Sequence, residues 1–74
     1  MGRLAGFRYR DVVQRLQSLG FVLLRDGKGS HEVWKNPKTG ARAVLSAHRG
    51  DYPEGTLRAI LDKAGIAIDD FLSK

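Results

Sequence analysis

The 74-residue chain has a formal net charge of +5 and no cysteine. Disulfides, thiolate chemistry and cysteine-ligated metal sites are therefore excluded. Its length suits one domain spanning residues 1–74, and a core this thin leaves room only for a shallow site built from few side chains. The charge is uneven, a formal +7 over residues 1–50 and −2 over residues 51–74. That distribution fits a polyanionic partner, nucleic acid first, or a solvated basic surface. No apolar run approaches the ~20 residues of a membrane span, and residues 1–10 lack the apolar stretch of a signal peptide. The expectation is a soluble cytoplasmic protein that does not engage a membrane.

Residues 1–8 read as a frayed lead-in. From Tyr9 to Leu19, Val12, Val13, Leu16 and Leu19 fall at helical spacing, and Gly20 follows as a helix-ending glycine. Arg8 is a poor residue to cap this helix. Phe21 to Arg25 is too short for a second helix and too apolar for a loop, so it reads as a strand. Asp26 to Gly29 is turn chemistry, Ser30 to Lys35 a second strand, Asn36 to Gly40 a second turn and Ala41 to Ser46 a third strand. Alternation within the strands is too poor to say which residues face the core. Ala47 to Tyr52 is a polar loop holding His48 and Arg49. Pro53 is placed to open a second helix, with Leu57, Ile60, Leu61 and Ala64 as its apolar stripe and Gly65 as its stop. Ile68 to Leu72 adds a short closing turn anchored by Phe71 and Leu72.

The order α-β-β-β-α, with one apolar stripe per helix, predicts an α+β fold: a three-stranded antiparallel sheet carrying both helices on one face. The other sheet face is open. This is the layout of double-stranded-RNA-binding domains, which read RNA by shape, although a shared fold does not establish a shared function.

Chemistry has few places to sit. His31 and His48 are the chain's two histidines, without carboxylates or further histidines at ligand spacing, so a metal site is not expected. Ser30 and His31 would point to opposite faces of a strand and cannot form a dyad, and no nucleophile elbow is present. RNA cleavage asks for less, because the ribose 2′-OH is supplied by the substrate. One imidazole titrating near pH 6.5 can give or take the proton. Backbone N–H groups of a glycine-rich turn and one lysine can hold the phosphate. Gly27 to His31 contains such a minimal set, with Lys28, Gly29 and Ser30 beside His31. Lys28, Lys35, Lys38, Arg42 and Arg49 could track phosphates, and Trp34 could stack a base. On spacing alone the same residues also suit an ordinary hairpin turn, a packing tryptophan and solvated cations.

The ordered set of residues resembles the HicA toxin family. The helix ending in Leu19, Gly20 and Phe21 leads to Gly29, Ser30 and His31, then Trp34 and Pro37. Val44 and Leu45 follow, then a loop with His48, then Gly55, Thr56, Leu57 and Arg58. Ile60, Leu61, Ala64, Gly65, Ile66, Phe71 and Leu72 complete the pattern, which runs from about Arg10 to Leu72. The resemblance implies a ribosome-independent mRNA interferase with a double-stranded-RNA-binding-domain-like fold. It places catalysis on the histidine of the Gly-Ser-His segment, His31, and implies a HicB-type antitoxin as partner. It implies an mRNA substrate; Lys28, Gly29, Ser30, Lys35, Arg42 and His48 are the candidate RNA contacts, and no metal or small-molecule cofactor is expected. The chain departs from the family's pattern at Ser46 and Ala47, where a proline is common. A second departure is Glu32, where another polar residue or histidine often follows the catalytic one; a carboxylate there could raise the imidazole pKa if the two approach, although on a strand the two point to opposite faces. A non-catalytic module binding structured RNA is the competing reading. It would leave a transcript intact where the toxin would cut it.

Overall fold

The Tyr9–Ser18 segment pairs an apolar stripe with a polar one, and in the computed structural model it is helix α1, with Val12 and Leu16 fully buried. The structure describes residues 2–26, 31–46 and 50–73. The guanidinium of Arg8 is a donor only and cannot cap the helix. The reciprocal half of a capping box is present instead, with the Asp11 carboxylate accepting the Arg8 N–H at 3.0 Å. The helix stops where Gly20 turns left-handed at φ 96°. The Gly20 N–H then reaches the Gln17 carbonyl and the Phe21 N–H the Leu16 carbonyl, at 3.0 and 2.9 Å. These two bonds satisfy carbonyls the helix end would otherwise orphan.

Three strands follow, β1 (Val22–Asp26), β2 (His31–Lys35) and β3 (Arg42–Ser46), in an antiparallel sheet of order β1-β2-β3. The β2–β3 register is regular, from His31 opposite Ser46 to Lys35 opposite Arg42. The β1–β2 register shifts between Leu23 and Arg25, which leaves Leu24 as an extra, bulged residue. Asn36 organises the β2–β3 turn: its side-chain oxygen accepts the Lys38 N–H and its carbonyl the Gly40 N–H. Its amide group reaches back to the Leu19 carbonyl at 3.3 Å, tying the hairpin to the end of α1.

Helix α2 (Glu54–Ala64) begins directly after Pro53, which stands at the cap position rather than inside the first turn. Leu57, Leu61 and Ala64 are buried, and Gly65 ends the helix at φ 69° with the same pair of bonds seen at Gly20. The one-turn helix α3 (Ile68–Leu72) closes the fold by burying Phe71.

Parity along the strands resolves what alternation in the sequence left open. Trp34, Ala43 and Leu45 are buried together with the apolar sides of the helices, in one contiguous core. Arg42 and Val44 are exposed. Both main helices therefore cover one sheet face and leave the other open, as the order of elements predicts. The frayed lead-in expected over residues 1–8 is corrected for residues 2–8. Leu4 is 1% exposed within the core, the Phe7 ring lies 5.2 Å from that of Phe71, and the Phe7 carbonyl accepts the Tyr52 N–H at 2.8 Å. Arg3 pairs with Asp69, and Arg8 with Asp51.

Candidate functional site

His31 is the first residue of β2, and its side chain is exposed. Side chains alternate across a strand, so His31, Val33 and Lys35 share the open face while Glu32 and Trp34 turn toward the helices. Directly opposed residues share a face in an antiparallel pair, so Ser46, Val44 and Arg42 of β3 lie beside His31, Val33 and Lys35. The open face thus has the imidazole at one end and the cations Lys35 and Arg42 at the other. Four residue steps of strand separate them, about 13 Å. His31 and Ser46 also border the two segments that hold Lys28, Gly29, Ser30 and His48; those four candidate RNA contacts lie outside the described residues.

Beneath His31, on the helix side of the sheet, sits a polar group that sequence reasoning did not assemble. The Glu32 carboxylate accepts hydrogen bonds from the Tyr9 hydroxyl and from the Trp34 indole N–H, the latter at 3.2 Å. Tyr52, 2% exposed, donates its hydroxyl to the Ser46 carbonyl at 2.6 Å. Burial pushes the Tyr52 phenol above its ordinary value, and the nearby Glu32 charge pushes it further in the same direction. These contacts anchor both residues of the His31–Ser46 corner: β2 is held one residue beyond His31, and β3 at its own Ser46 backbone.

Two open readings are decided at this point. Trp34 is 5% exposed and spends its N–H on Glu32, so it is a core residue and not a platform for a base. Glu32 does not approach the imidazole, because strand parity puts the two side chains on opposite faces and the carboxylate is engaged by Tyr9 and Trp34. The available signal was the indole. A buried Trp N–H needs an acceptor, and Glu32, two residues back on the same face, is the nearest one in sequence. Nothing local marked Tyr9 or Tyr52 as its companions. Among the described residues, no three metal-ligating side chains converge, and no helix is long and apolar enough to cross a membrane.

The fold and face define a class: a small α+β protein of double-stranded-RNA-binding-domain layout, with an exposed histidine at the end of a basic, uncovered sheet face. A family model described as the HicA toxin of bacterial toxin–antitoxin systems matches residues 9–66. The chain belongs to that family, and so is a toxin of a toxin–antitoxin pair whose partner is an antitoxin. A search of curated proteins gives no match.

Proposed function

We propose that this toxin is a ribosome-independent mRNA endoribonuclease in which His31 is the general acid/base, and that a HicB-type antitoxin silences it in the cytoplasm. The observation that carries the reading is the position of His31, exposed at the end of β2 on the open face that also bears Lys35 and Arg42.

The chemistry requires no group beyond the RNA and the protein. The ribose 2′-OH gives up its proton as its oxygen bonds to the adjacent phosphorus. The P–O5′ bond breaks, and the departing 5′ oxygen gains a proton. An exposed imidazole serves either proton transfer, a contribution worth about 10²–10⁴-fold. Lys28 and the backbone of Gly29 and Ser30 precede His31 directly and are assigned to the scissile phosphate, whose extra charge they would stabilise. Lys35 and Arg42, at the far end of the face, suit neighbouring phosphates, and His48 is assigned to the RNA from the segment after Ser46. The half-buried Tyr9 and Glu32 and the buried Trp34 and Tyr52 do not touch the substrate in this scheme; they hold the corner that presents the imidazole.

The test is a labelled transcript incubated with purified protein in the presence of a chelator, alongside induction of the gene in growing bacteria. Cut RNA and arrested growth support the nuclease. A transcript bound but intact at stoichiometric protein would establish the non-catalytic RNA-binding module instead.

A further inference from the structure

Among the described residues, strand β3 is an edge of the sheet, and a groove lies beside it. The Asn36 N–H bonds to the Ala41 carbonyl at 2.9 Å, which fixes the phase of the β2–β3 ladder. In an antiparallel pair the bonded and non-bonded positions alternate. Ala43 and Leu45 therefore turn their backbone groups toward β2, while Arg42, Val44 and Ser46 turn theirs outward. The Ser46 carbonyl is taken by Tyr52. The N–H and C=O of Arg42 and Val44 face a groove of about 620 Å³ between β3 and α2, lined by Arg42 and Val44 from the strand and by Ala59 and Ile60 from the helix. Val44 is 54% exposed. Lys63 also lines the groove, and neither it nor Arg42 has a carboxylate partner among the described residues.

We propose that this groove is a docking site for an extended, acidic segment of a protein partner, added as a fourth strand along the outer edge of β3. The backbone of Arg42 and Val44 supplies the ladder bonds, alternate apolar side chains of the segment enter the groove, and its carboxylates meet Arg42 and Lys63. A second copy of this chain fits less well, because it is basic overall and would bring cations against Arg42 and Lys63. The opposite edge, β1, is a poorer template because its bulge at Leu24 breaks the regular row of donors and acceptors. The inference goes beyond the reading of His31 and does not depend on it.

The test uses the full chain, labelled with ¹⁵N, and a capped seven-residue peptide alternating glutamate and valine, with its lysine counterpart as control. The glutamate peptide is expected to shift the amide signals of Arg42 and Val44 and to slow their hydrogen exchange, while the lysine peptide leaves both unchanged. Val44→Pro removes an outward N–H and no ladder bond, and should weaken binding about tenfold or more. Should that variant fold poorly, Ala59→Glu and Lys63→Glu, both on exposed helix positions, should weaken it by a similar factor with the spectrum otherwise preserved. Equal response to both peptides, shifts confined to other surfaces, or no response would overturn the proposal. So would concentration-dependent shifts at Val44 without peptide, which would mark an interface between copies. An RNA oligonucleotide that slows exchange of the Val44 amide and excludes the glutamate peptide would reassign the groove to nucleic acid.

Discussion

The hydroxyl of Tyr52 is the most informative polar atom in the core. It donates to the Ser46 carbonyl, and the phenol is held above its ordinary value of 10.0, by burial first and by Glu32 second. A folded-state pKa above the unfolded one means that the folded protein keeps its proton to higher pH. The associated stability is fully present below about pH 10 and is lost as pH rises through the folded value. Urea unfolding should therefore show a fall in stability above pH 10, and Tyr52→Phe should reduce that fall. At pH 7 the same variant should cost about 1 kcal/mol for the lost hydrogen bond. Glu32→Ala should cost more, about 1–3 kcal/mol, because it strands the Tyr9 hydroxyl and the Trp34 N–H in a partly buried site; Glu32→Gln keeps an acceptor and should recover much of the loss. Denaturant midpoints at constant m-value would check both. The Tyr9 and Tyr52 contacts were not legible residue by residue, because they join distant parts of the chain. That Glu32 turns away from His31 was legible, because adjacent residues of a strand point to opposite faces; which side chains meet it on the helix side was not.

At the scale of elements, the sequence was clearest where a single residue type has a single physical use. Gly20 and Gly65 end their helices because each adopts a positive φ, which costs other residues about 1–2 kcal/mol. The turn at Asn36–Gly40 was equally plain. The lead-in was not, since Leu4 and Phe7 are two apolar residues without periodicity, and only contacts with distant parts of the chain make them core. Arg15 reports on that docking. From α1 it donates to the Phe71 and Leu72 carbonyls at 3.0 and 3.2 Å, and its guanidinium lies over the Phe7 and Phe71 rings. One side chain therefore ties α1 to the lead-in and to α3. Arg15→Ala should cost about 2 kcal/mol, lowering Tm by about 10 °C for a domain of this size. Calorimetry would check it, and Arg15→Lys should fall between the two because an ammonium cannot reproduce the planar fork.

For the whole molecule, the fold segregates function by face. The helices bury one side of the sheet, and the bare side carries His31, Lys35 and Arg42. The uneven charge read from the sequence thus acquires a location, although the sequence could not assign faces because both strand edges and the bulge blur the alternation. If RNA lies along this face, contacts from Lys28, Lys35 and Arg42 release counterions on binding. The logarithm of affinity for a single-stranded oligonucleotide should then fall with the logarithm of salt concentration at a slope of about −2, and Lys35→Gln should reduce the slope by about 0.7. A slope unchanged by that variant would move the RNA elsewhere. The central claim, however, is that His31 does chemistry rather than only lying in a basic surface. The most direct measurement compares the rate of transcript cleavage by the wild type and by His31→Ala, in chelator and at concentrations where both bind the RNA equally. The account predicts a loss of about 10²–10⁴-fold with binding and thermal stability retained; cleavage at the wild-type rate in the variant would contradict it.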